Sequence, residues 1–194
     1  IPGWTLNLAT LVLLSSISLL GLNLIYGLAG MLSLGHAAFA IWPVYIGAIC
    51  AKFGVPLVLS ILVGLACGAL LATLLGRVFV RLPGMYFAIG TLGFSFVSEG
   101  LARAFPGISG GASGMVLTLP FAMTANAWYV LSIVALALSV AVYMAMTTRA
   151  RYRTLVAVRS DELSAQVLGI RVVAVKLRVF VIGSMFAGVS GVLV

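Results

Sequence analysis

The sequence predicts an all-α, polytopic transmembrane helical bundle of about six spans, and three observations carry that prediction. Apolar residues fill 63% of the 194 positions and charged residues only 7%, against roughly 25% charged in an ordinary soluble domain. Eleven basic and three acidic side chains cannot cover a soluble surface of this size. The apolar residues form runs near the length of about 20 that a helix needs to cross a bilayer. These runs are too continuous for the short alternating strands of a membrane barrel. Charge is collected between the runs: seven of the eleven basic residues lie from Arg149 to Arg178, and Arg77 and Arg81 sit between two spans.

In order along the chain, the runs cover about Trp4–Ala29, a shorter Ala37–Ala51, Val55–Val80, Gly84–Arg103, Trp128–Thr147, and Lys176 to the last residue, Val194. Whether the short second run is re-entrant stays open. Basic residues concentrate on the cytoplasmic side of membrane proteins. Placing Arg149–Arg178 there puts nine basic residues inside and leaves Lys52 and Arg103 outside, so the N-terminal end and Ser109–Ser113 are expected outside. The net charge of +8 therefore implies a membrane topology and no nucleic-acid partner. Both ends fall in apolar sequence, which predicts a segment of a longer protein.

Glycine is abundant, with helical spacing at Gly64 and Gly68, at Gly90 and Gly93, and from Gly183 through Gly188 to Gly191. Such positions let membrane helices approach closely. Cys50 and Cys67 lack a Cys-x-x-Cys or Cys/His pattern and read as small core residues. One His, two Cys and three acids give no nucleophile and no metal-ligand spacing, so neither an enzyme nor a cofactor or metal is expected. Gly110–Gly114 is Gly-rich but lacks the Gly-Lys-Ser/Thr ending of a phosphate loop.

Three stretches carry more information. From Gly21 to Phe39, closely spaced glycines with Asn23, Ser33 and His36 interrupt the apolar pattern. Broken helices survive in a membrane only where protein or a wet cavity covers the freed backbone groups. The segment is either part of a translocation path or a loop between spans, with His36 hydrogen-bonded to backbone. From Arg81 to Arg103, Pro83 suits a helix start. Tyr86 and Thr91 place polar groups on that helix, and Glu99 and Arg103 stand four apart. Their spacing predicts an ion pair, which serves either structure or transport. From Ala157 to Ile170, Ser160 is expected to cap a short helix with Asp161 and Glu162 in its first turn. Leu163 and Val167 share a face, and Gly169 can end the helix in a left-handed conformation. The helix suits either a lipid surface or, with two acids at one end, a protein partner.

At these stretches the sequence resembles the LivM-type permeases of branched-chain amino-acid ABC importers. Leu22–Phe39, Arg81–Phe94, Gly110–Met115 and Ala157–Phe180 look like that family's segments, in its order. The resemblance implies a type II-like ABC importer permease in the bacterial inner membrane. Its implied partners are a second permease subunit, two ABC ATPase subunits, a periplasmic substrate-binding protein and membrane lipid. It also implies one permease domain over 1–194, with a coupling helix inside the cytoplasmic loop 149–175. Asp161, Glu162, Leu163, Ala165, Val167 and Gly169 would couple to the ATPase, and Asn23, Ser33, His36, Tyr86, Thr91 and Glu99 would line the path. The general coupling pattern, Glu-Ala-Ala then Gly, is met with Glu162 one position early and Ser164 in place of the first Ala. Permeases for urea or short amides share the broad pattern, and an ion-coupled secondary transporter is the rival class.

Overall fold

The computed structural model describes residues 3–105 and 124–194, and all regular structure among them is helical. Helix α1 (Gly3–Leu22) continues as a π-helical turn, Asn23–Leu28. Then come α2 (Ala38–Lys52), α3 (Leu57–Phe79), α4 (Gly84–Ala104), α5 (Ala125–Met146), α6 (Arg149–Ser160), α7 (Glu162–Val167) and α8 (Val172–Leu193). The expected external stretch Ser109–Ser113, and with it Gly110–Met115, lies outside the described residues.

Five helices (α1 with its π turn, α3, α4, α5 and α8) are long and apolar enough to cross a bilayer. With 15 residues, α2 is about 22 Å long and falls short of a hydrocarbon core of about 30 Å. Large apolar side chains such as Leu8, Val12, Val58, Leu62, Leu70, Val134 and Leu138 point outward, as a lipid-facing surface requires.

The innermost helix is α8, which packs on α1, α2 and α3. Phe180, fully buried at its middle, meets Phe39 of α2 edge-on at 5.1 Å and Phe87 of α4 at 5.7 Å. Small residues set these approaches. A Cβ on Gly183 would lie 2.8 Å from the Gly21 carbonyl oxygen of α1, and one on Gly64 would lie 2.3 Å from that of Pro43. The Gly64/Gly68 notch on α3 thus receives the proline of α2. Among the described residues, Gly90 and Gly93 meet no neighbouring backbone, unlike Gly64 and Gly183.

Two boundaries differ from the sequence expectation. The last span begins at Val172 rather than near Lys176, which buries Lys176 inside the helix. The basic loop 149–175 is mostly helical: α6 buries Leu155 and Val158 and turns its arginines outward, an amphipathic pattern hidden by the basic residues at 149, 151 and 153.

Candidate functional site

The first site is the break between α1 and α2. After Leu22 the helix widens, and Ala29 donates to the carbonyl of Leu24, five residues back. Such π turns occur frequently at functional sites. Asn23 accepts from the Tyr143 hydroxyl of α5 at 2.7 Å, and Arg159 of α6 donates to the Gly27 carbonyl. Gly30 then turns the chain with φ +70°.

Beyond Gly30 the chain doubles back into the bundle. Leu34 N–H donates to the Thr91 hydroxyl at 3.1 Å, and Gly35 lies against the Thr91 backbone. His36 Nε2 lies 3.1 Å from the carbonyl oxygen of Ser18. A carbonyl only accepts, so Nε2 carries the proton and a neutral ring leaves Nδ1 as a bare acceptor. Ser18 precedes Gly27 by nine residues, roughly 13 Å along the helix. Segment 29–37 thus carries the chain back to mid-helix depth, and α2 begins there. A short α2 can complete this passage because it does not start at the edge of the bundle.

Among the predicted path residues, Ser33, His36 and Thr91 are buried, and the Leu34–Gly35 backbone between Ser33 and His36 lies against Thr91. Ser33 Oγ and His36 Nδ1 have no hydrogen-bond partner among the described residues despite burial. Asn23, Tyr86 and Glu99 stay on exposed surfaces. The expected Glu99–Arg103 pair forms at 2.5 Å, with both side chains more than half exposed.

The second site is the corner from Ser160 to Val172. Ser160 does not cap the short helix: it is the last residue of α6, because the chain turns to an extended conformation one residue later. Asp161 is the cap, accepting from Leu163 N–H at 2.9 Å and from the Ser164 hydroxyl. The Ser164 hydroxyl, and then the Leu163 amide, hold the Asp161 carboxyl below the usual aspartate range. Gly169 has φ +80°, the left-handed end expected for it.

Ala165 is 1% exposed in a small core with Val158 and Val172. Glu162 forms an ion pair with Lys176, whose ammonium is largely buried in α8. One face of α7 is therefore pinned to α6 and α8. The other face is bare, with Leu163 73%, Val167 88% and Leu168 75% exposed. Arg159 and Lys176 escaped sequence reasoning, because their partners are 132 and 14 residues away.

Five crossing-length helices among the described residues define a multi-pass membrane protein. The chain belongs to the family described as "Branched-chain amino acid transport system / permease component", which it matches over residues 4–194. It is similar to the high-affinity branched-chain amino acid transport system permease protein LivM of Escherichia coli (strain K12), at 29% identity over 97% of this chain and 52% of that protein. The LivM permease of Salmonella typhimurium (strain LT2) matches at 29% identity with the same coverage. The chain spans about half the length of the curated relatives it matches. No solved structure matches it.

Proposed function

We propose that this chain forms one permease domain, residues 1–194, of an inner-membrane ABC importer for branched-chain amino acids. A second permease subunit, two ABC ATPases and a periplasmic binding protein complete the machine. The bare apolar face of α7 carries the reading: Leu163, Val167 and Leu168 project from a helix whose opposite face is fixed. Six residues are too few for a stable isolated helix, so α7 relies on packing. An ATPase groove would cover the exposed side. Asp161 to Gly169 then act as the coupling element, and ATPase motion reaches α8 through the Glu162–Lys176 pair.

The basic count supports a cytoplasmic α6–α7 corner and an external N-terminal end. The Arg159–Gly27 contact agrees, since it puts the end of α1 at the level of α6. In this reading the unwound segment with Ser33, His36 and Thr91 lines the substrate path, where the unpartnered polar atoms would meet water or a zwitterion.

Glu162→Lys breaks the ion pair, and Gly169→Val forces a β-branched residue into left-handed backbone. Both should abolish leucine uptake and substrate-stimulated ATP hydrolysis while the permease still inserts. If both variants retain bound ATPase and transport at the parental rate, α7 is not the coupling element.

A further inference from the structure

A cavity apart from the Ser33, His36 and Thr91 positions and from the bare face of α7 opens where the end of α5 meets α6 and α8, with Leu24 of the π turn in its wall. It measures about 360 Å³, and Arg151, Thr154 and Arg178 border it beside apolar walls that include Met146, Leu155 and Val179. Met146 ends α5 and Arg178 lies in the second turn of α8, so the guanidiniums stand where spans leave the apolar zone. Arg151 is held in place by its hydrogen bond to the Ala145 carbonyl at 2.7 Å.

Arg151 and Arg178 border one cavity, and no acidic side chain among the described residues lines it. The chain has only three acidic residues, and each is engaged elsewhere. Glu99 pairs with Arg103, Glu162 with Lys176, and Asp161 with Ser164 and the Leu163 amide. Arg178 has no hydrogen-bond or ion-pair partner among the described residues. Two like charges around one cavity repel until an anion enters. Guanidinium forks match phosphate oxygens in geometry as well as charge.

We infer that this cavity binds the phosphodiester headgroup of an anionic phospholipid, with Arg151 and Arg178 on the phosphate and an acyl chain along the apolar wall. Charge complementarity selects the headgroup. Leu24, Val179 and Ile182 extend the cavity along the helices, where a free phosphate would find nothing to contact but a lipid tail would. Basic pockets between membrane helices are a recurrent form of headgroup site. The site needs neither the coupling reading nor a particular orientation, since each leaflet of a membrane can carry anionic lipid.

The test uses the full-length protein, co-purified with its partner subunits and reconstituted with phosphatidylglycerol bearing a photoreactive acyl chain. Crosslinks should map to peptides holding Met146 and Val179–Ile182. Excess unlabelled phosphatidylglycerol should suppress them, and phosphatidylcholine should not. Arg151→Gln/Arg178→Gln should reduce labelling about tenfold, whereas Arg149→Gln/Arg153→Gln leaves it unchanged. Arg151→Lys/Arg178→Lys keeps the charge and should retain most labelling, so folding can be judged apart from binding. If the double Gln variant does not run as a single species on size exclusion, Arg178→Gln alone takes its place and should still lower labelling. Equal labelling in the Gln variants, competition by phosphatidylcholine, or displacement by inorganic phosphate would each overturn the lipid assignment. So would crosslinking to the isolated permease that vanishes in the complex, since a partner subunit would then fill the cavity.

Discussion

Two of the interruptions between the described helices have opposite chemistry, one from Asn23 to Ala37 and one from Asp161 to Arg171. In the later interruption the partners are local. Asp161 caps through Leu163 and Ser164, and Gly169 N–H and Ile170 N–H return to Gln166 and Ala165 at 2.9 and 3.0 Å. In the earlier one local backbone bonds such as Met31 N–H to Ile25 are joined by distant partners: Thr91 serves Leu34, Arg159 serves Gly27, Tyr143 serves Asn23. Two buried polar atoms there, Ser33 Oγ and His36 Nδ1, find no partner among the described residues. A locally satisfied turn keeps its shape when the bundle moves, whereas a turn satisfied by three other helices changes with them. The corner is suited to transmit motion and the break to respond to it.

Glycine substitutions should separate the two regions most sharply. A Cβ on Gly35 would stand 1.8 Å from the Thr91 carbonyl oxygen, and that backbone cannot move aside without shifting α4. Gly35→Ala should therefore cause the largest loss, with little folded protein recovered from the membrane. Overpacking in a well-packed site typically costs about 1–3 kcal/mol and occasionally more. Gly169 is the reverse case: nothing lies within 4 Å, and only its φ of +80° resists a side chain. Gly169→Ala should cost about 1–2 kcal/mol and leave the fold intact. Thermal midpoints in detergent check both. Equal midpoints for the two variants would mean that the contact of Gly35 with α4 carries no weight.

Arg159, two residues before Asp161 at the end of α6, ties that helix to the earlier break. Its guanidinium donates to the Gly27 carbonyl, and its Cγ lies 3.0 Å from where a Cβ on Gly30 would stand. Arg159→Ala should lower stability by about 1 kcal/mol, the typical net worth of one hydrogen bond. The larger effect should appear in coupling, as ATP hydrolysis that substrate no longer stimulates while the ATPase stays bound. Unchanged stimulation would show that α6 and the break move independently.

What was legible in the sequence follows the same division. Apolar run length revealed the spans, because a bilayer imposes one length on every crossing. The short helix and its Gly169 end were also legible, since their determinants lie within nine residues. The cap was placed one residue early. Ser160 and Asp161 are both good caps, and only the unexpected α6, running through Ser160, decides between them. Ser33, His36 and Thr91 were singled out as polar residues in apolar surroundings, and all three are buried where segment 33–36 runs past Thr91. Tyr86, Glu99 and Asn23 satisfied the same criterion and remain exposed. Composition cannot tell which face of a helix a polar residue occupies when lipid and protein both accept apolar neighbours.

The smallest effect concerns acid. The Ser164 hydroxyl and the Leu163 amide hold the Asp161 carboxyl below its ordinary range, so the folded cap binds its proton more weakly than the unfolded chain does. Its contribution is fully present above the unfolded value and is lost as pH falls through the lower folded value. Neutral and mildly acidic buffers should leave the cap intact, and only stronger acid should release it. Amide exchange at Leu163 and Ser164, followed across that range, should accelerate on acidification once corrected for intrinsic rates. Asp161→Asn keeps a side-chain oxygen that can accept from the helix but has no proton to bind, so its corrected exchange should stay level. Glu162 is retained in this variant, which isolates the cap from the Lys176 pair. If the variant and the parent accelerate alike, the cap is not the acid-sensitive part of the corner.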